Sequence, residues 1–136
     1  MGLSPYYRGS SCNFWALYDR KPDYVGATIH LLSRGLDSGD MLFHAVPGVR
    51  ETEPFLLGMC AVKAAHDGLL ESIQTGNLSG MEPTPQNKDL QIRYTRNNEF
   101  TDEVASEYLE NPPTKQDVLK SLQNRDGSVL LRPYVQ

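Results

Sequence analysis

Cysteine is scarce in this chain: Cys12 and Cys60 are the only two in 136 residues. Two thiols cannot build the disulfide framework that holds a small secreted domain together. A single bridge and a nucleophilic thiol stay open, and a pair of reduced, semi-buried thiols is the expectation. Basic clusters are lacking too. No run of Lys or Arg exceeds the pair Arg20-Lys21, and 17 acidic against 13 basic residues leave a net charge of −4. Affinity for duplex nucleic acid comes from neutralising phosphates, so a duplex is not expected as the primary partner. A folded RNA stays possible if a separate domain supplies the positive charge. No apolar run approaches the roughly 20 residues of a membrane span, and no signal peptide opens the chain. The expected compartment is the cytoplasm. Three histidines, His30, His44 and His66, stand without the cysteine or carboxylate spacing of a metal site, and no metal is expected.

What the chain does have is length for one core and too little for two. Residues 25–46 read as its centre: two apolar, partly β-branched strands, 27–33 and 41–46, joined by Arg34-Gly35-Leu36-Asp37-Ser38-Gly39-Asp40. Strands on both sides fix such a loop, which suits a positioned carboxylate. Asp37 is the candidate, between glycines that let backbone approach a ligand. Its other reading is a turn former and nothing more.

Around that centre the punctuation is plain. The first nine residues are extended or loop-like, broken by Gly2, Pro5 and Gly9. Ser10 or Ser11 caps a helix running to Tyr18, with Cys12, Trp15, Ala16 and Leu17 facing inward. Thr52 caps a long helix with Glu53 and Pro54 in its first turn. That helix carries Phe55, Leu56, Met59, Cys60, Val62, Ala65, Leu69, Leu70 and Ile73 as its apolar stripe and stops at Gly76. Residues 77–88 are a loop and 90–96 a short strand. Thr101 starts a helix ending near Leu109; Thr114 with Asp117 makes a capping box for another ending near Gln123. Residues 128–131 read as a terminal strand. The more polar part beyond about residue 88 reads as an appendage.

Three segments, Leu3-Ser-Pro-Tyr-Tyr-Arg-Gly9, Gly26-Ala-Thr-Ile-His30 and Gly35-Leu-Asp-Ser-Gly39, stand in the order and spacing of one known family. The chain resembles the formyltransferases: those acting on methionyl-tRNA, on glycinamide ribonucleotide and on amino sugars. The first segment, with Asn13-Phe-Trp15 soon after, is most similar to the sugar branch. Pro85-Gln86 and the Tyr94…Phe100-Thr101 pattern resemble, more loosely, the segment that comes after the catalytic domain in that branch. The resemblance implies an α/β fold. Residues 1–80 would be the C-terminal half of a doubly wound catalytic domain, a strand pair with packed helices. Residues 81–136 would add a loop, a short strand and a mostly helical extension.

The family's Asn-x-His motif stands just upstream of the first segment, and the chain starts one position past that His. Two of the three usual catalytic residues are therefore missing, and the chain by itself is expected to be inactive. The implied reaction moves a formyl group from 10-formyltetrahydrofolate, a co-substrate, to an amine. The preferred acceptor is a nucleotide-linked amino sugar and the second is initiator methionyl-tRNA. Hydroxymethyl or carboxamide chemistry on the same scaffold stays open. Such transfer needs donors aimed at a developing oxyanion and a relay for the amine's proton.

The resemblance makes Asp37 the acid that keeps the family's His oriented and charged. It implies that His30 contacts that acid or shapes the site, the other reading being a satisfied histidine between layers. Ser33, Arg34, Gly35, Leu36 and Asp37 match the loop that holds the pterin through backbone groups. Arg8 either supports the chain locally or reaches an anionic acceptor. Tyr6, Tyr7 and Trp15 either line an acceptor site or bury a helix face. His44 and His66 are read as structural or solvent-facing. An uncovered sheet edge and helix face predict self-association. The alternative from another class is a non-catalytic remnant or binding module.

Overall fold

The computed structural model describes residues 1–35 and 37–136. The fold is α/β, with four α-helices and two small sheets among the described residues. In chain order the elements are β1 (Tyr7–Gly9), α1 (Cys12–Tyr18), β2 (Ala27–His30), β3 (Met41–Val46) and α2 (Pro54–Gln74), then β4 (Arg93–Thr95), α3 (Asp102–Glu110), α4 (Lys115–Gln123) and β5 (Tyr134–Val135). β2 and β3 pair antiparallel, with Ala27 opposite Ala45, and β5 joins β3 in parallel; β1 and β4 form a separate parallel pair. β3 is the central strand of its sheet and all six of its residues are buried, as expected of a strand covered on both faces.

Two apolar clusters hold these parts together. One gathers Tyr7, Trp15 and Leu17 with Leu57 and Ala61 of α2 and with Val118 and Leu122 of α4. The other lies between α2 and the sheet, with Ala64 and Ala65 against Ala27, Phe43 and Ala45 and with Tyr134 packed alongside. Residues from beyond position 88 thus stand in both clusters, and β4 and β5 each pair with a strand from the first half.

Several boundaries differ from the sequence expectation. β2 stops at His30, short of residue 33, because the register with β3 slips between Ile29 and His30. The N-cap of α2 is Glu53, not Thr52; its Oε2 accepts from Leu56 N–H at 2.7 Å. Ser11 holds the N-cap position of α1, but in a left-handed conformation and with no side-chain capping bond. At the other end of α2, Gly76 takes φ +73 as the expected stop. The terminal strand is Tyr134–Val135; residues 127–129 form a short 3-10 turn instead.

The largest difference concerns which side of α2 is buried. The inward residues are Leu57, Ala61, Ala64, Ala65 and Gly68. Phe55, Leu56, Met59, Leu70 and Ile73, expected in the stripe, are exposed, Phe55 at 71 %. Small residues let the helix axis approach the sheet, and the bulky ones are left on the far side. Among the described residues no helix is long and apolar enough to cross a membrane.

Candidate functional site

The N-terminal segment is stitched to β2 through one hydroxyl. Thr28 Oγ1 accepts from Ser4 N–H at 2.8 Å and donates to the Gly2 carbonyl at 2.9 Å. This brings residues 1–9 alongside the strand that ends in His30. A cleft of about 50 Å³ opens between them, lined by Met1, Arg8, Cys12, Thr28, His30 and Asp37. The two residues singled out from the sequence, His30 and Asp37, thus share one wall-to-wall space with the first residue of the chain.

Asp37 is held by its backbone. It adopts φ +50, a left-handed conformation that a short polar side chain tolerates. Its carbonyl accepts from Arg8 Nη2 at 3.2 Å and from Gln86 Nε2 at 3.0 Å. The same Gln86 amide donates to the Gly39 carbonyl at 2.8 Å. Gly39 has no alternative: a Cβ there would stand 1.7 Å from the Leu31 carbonyl oxygen. On the outer side of the loop the Ser33 and Ser38 hydroxyls are 2.8 Å apart, and Ser33 donates to the Gly35 carbonyl at 3.1 Å. Ser33, Arg34 and Gly35 are exposed on this outer turn and do not line the cleft. Leu36 lies outside the described residues.

His30 Nδ1 is 2.9 Å from the Leu31 carbonyl. A carbonyl only accepts, so the proton sits on Nδ1 and Nε2 keeps its lone pair when the ring is neutral. Arg8, only 8 % exposed, also donates to Gln91 Oε1 at 3.4 Å and stands 5.9 Å from the centre of the Tyr94 ring. Its local role is to support the loop. Arg8 Nε and Gln86 Oε1 are buried without a hydrogen-bond partner among the described residues. The wall beside Asp37 therefore keeps one donor and one acceptor unspent.

The other candidates resolve differently. Cys12 donates to the Gly9 carbonyl at 3.3 Å, and burial pushes its thiol pKa up, away from a nucleophilic thiolate. Both cysteines are free thiols. His44 is buried: its Nε2 donates to the Ser4 carbonyl at 2.8 Å and its Nδ1 accepts from Leu131 N–H at 3.0 Å. That is a structural histidine, and His66 is exposed on α2. Tyr7 and Trp15 are core residues, with Tyr7 donating to Asp19 Oδ2 at 3.0 Å. Among the described residues no three His, Cys, Asp or Glu side chains are grouped to hold a metal ion.

Sequence reasoning gave Gln86 no role. It stands 49 positions from Asp37 in a loop without periodicity, and Pro85 before it signals only a turn. Compared with family models and with curated proteins, the chain matches none.

Proposed function

We propose that the cleft is the acid-bearing half of a formyl-transfer site. The transfer runs from 10-formyltetrahydrofolate to the amine of a nucleotide-linked amino sugar by preference, with initiator methionyl-tRNA second. One observation carries this reading: His30 and Asp37, the positions that match the family's pattern, line one cleft together with Met1. The family's Asn-x-His stands next to that residue, so an imidazole supplied there enters the cleft opposite Asp37.

The carrier brings the activated formyl group; the work assigned to this chain is positioning and charge. The Asp37 carboxylate favours the protonated form of an imidazole at its side and fixes the ring's direction. A cationic donor aimed at the formyl oxygen stabilises the negative charge that grows there as nitrogen attacks. The lone pair of His30 Nε2 can take a proton from the incoming amine and return it to N10 of the carrier as the bond from N10 to the formyl carbon breaks and tetrahydrofolate leaves. Backbone groups of Ser33, Arg34, Gly35 and Asp37 present an edge to the pterin, and Gln86 and Arg8 hold it at the Asp37 carbonyl.

The test is a titration of the isotopically labelled chain with 5-formyltetrahydrofolate, a stable relative of the donor, followed by NMR. Shifts confined to residues 33–39 and Gln86 are expected, together with no formyl transfer by the chain alone, which contains no Asn-x-His. Absence of shifts in that loop at millimolar ligand overturns the assignment. Turnover by the pure chain overturns the need for an imidazole from outside it.

A further inference from the structure

A second space continues from the first. A groove of about 350 Å³, lined by Gly9, Ser10, Asp37, Tyr94, Arg96 and Asn97, shares Gly9 and Asp37 with the acid cleft. The cleft itself is much the smaller of the two, about 50 Å³ against about 350 Å³. Whatever reaches Asp37 must therefore keep most of its bulk elsewhere, and the groove is the space that adjoins. We propose that this groove binds the nucleoside diphosphate portion of the acceptor. The inference rests on the formyl-transfer reading for the role of Asp37, and names the residues that recognise the acceptor.

The lining suits a planar ring joined to phosphate. Tyr94 is 47 % exposed and offers a ring on which a base can stack, with the Arg8 guanidinium already 5.9 Å from its centre. Arg96 is exposed, and among the described residues no carboxylate lies within ion-pair distance of its guanidinium. Its planar fork matches phosphate oxygens. The Asn97 amide is turned by Ser10, whose hydroxyl donates to Asn97 Oδ1 at 3.0 Å, so its NH₂ is left as a directed donor.

The wall is also rigid. Gly9 lies opposite Thr95 in the β1–β4 pair, Ser10 N–H donates to the Thr95 carbonyl at 2.9 Å, and Thr95 Oγ1 donates back to the Ser10 carbonyl at 2.7 Å. Arg96 N–H donates to Glu99 Oε1 at 2.6 Å, which fixes the backbone at Arg96. A preformed wall lowers the ordering cost of binding. One free guanidinium fits a single diphosphate, whereas an RNA backbone needs a track of cations that a chain of net charge −4 does not offer here.

The experiment titrates the labelled full chain with uridine 5′-diphosphate, with inorganic pyrophosphate, and with a short RNA ending in an unpaired 3′ strand. Uridine 5′-diphosphate should move the signals of residues 94–97. R96Q should weaken it about tenfold, the scale of one lost bidentate contact. Y94L should weaken the nucleotide and leave pyrophosphate unaffected. No movement at 94–97, or movement indifferent to R96Q, overturns the groove assignment, as does an RNA that binds more tightly than the nucleotide with a steep salt dependence. Shifts at 33–39 from 5-formyltetrahydrofolate with none from the nucleotide remove the groove and leave the transfer reading standing. The reverse pattern removes the transfer reading and leaves the nucleotide site.

Discussion

Gln86 clamps the loop that carries Asp37, donating one amide group to the Asp37 carbonyl at 3.0 Å and to the Gly39 carbonyl at 2.8 Å. The clamp comes from a loop that is itself tied to β3, where Thr84 and Met41 exchange backbone hydrogen bonds at 2.8 Å in both directions. Q86A removes both donors and leaves two half-buried carbonyls to find water. The expected cost is about 1–3 kcal/mol, with faster amide exchange across residues 37–40. Hydrogen exchange followed by mass spectrometry checks this, and an unchanged loop would mean that Arg8 alone holds it.

How much of this could be read beforehand depends on how local the signal is. Thr101 and the Thr114–Asp117 box mark α3 and α4 at the observed residues, because a cap is made within four positions. The buried side of α2 was not legible. Its bulky residues advertise a stripe, yet the sheet selects alanines, and that choice depends on how closely another element approaches. The terminal strand was misplaced for a similar reason. Leu131 spends its N–H on His44 Nδ1 while its carbonyl accepts from His44 N–H at 2.9 Å, and Arg132 takes φ +40, so the regular ladder with β3 starts only at Tyr134. The family resemblance set His30 near Asp37, and the two line one cleft; the clamp by Gln86 needed the three-dimensional path of the chain.

Arg93 and Asp19 form the joint that carries β4. Arg93 Nε and Nη2 donate to Asp19 Oδ2 and Oδ1 at 2.9 and 2.7 Å, and the guanidinium stands 4.5 Å from the centre of the Trp15 ring. Tyr7 spends its hydroxyl on the same carboxylate. D19A strands all three donors and should cost about 2–4 kcal/mol, discounted for partial exposure. R93K keeps the charge but not the fork or the stacking, and should recover little. Urea denaturation followed by the fluorescence of Trp15, the only tryptophan, measures both.

The exposed side of α2 predicts self-association of the chain. Leu56, Met59, Leu70 and Ile73 recur there with Lys63 and His66 between them. The steps of three and four residues read the same in both directions. Two copies packed antiparallel set Met59 against Leu70 and bring Lys63 beside the other copy's acidic Asp67, which its own Lys63 already meets at 2.6 Å. Sedimentation should show dimers that the double variant M59E/L70E, which sets like charges against each other across the pairing, disperses. A monomer at all concentrations contradicts the pairing.

The pH dependence of stability should turn on His44. Burial lowers its pKa from the ordinary 6.5, only partly opposed by the Ser4 carbonyl that accepts from Nε2. Protonation would place a second N–H on Nδ1, facing the Leu131 N–H that now donates to it. The unfolded chain accepts that proton as pH falls through about 6.5 and the folded chain does not, so the unfolded state binds more protons in this window. Stability is therefore fully present above about pH 6.5 and declines below it until the lowered folded value is reached. The carboxylates whose pKa is depressed, Glu103, Asp117 and Asp126, are fully exposed and add their effect only at lower pH. H44Q supplies an amide donor for Ser4 and an oxygen acceptor for Leu131 without an ionising ring. Its stability between pH 7 and pH 5 should be nearly flat where the parent declines, as chemical denaturation at each pH would show. Parallel curves for the two proteins would mean that His44 takes up its proton in the folded state and that the Leu131 contact does not hold it neutral.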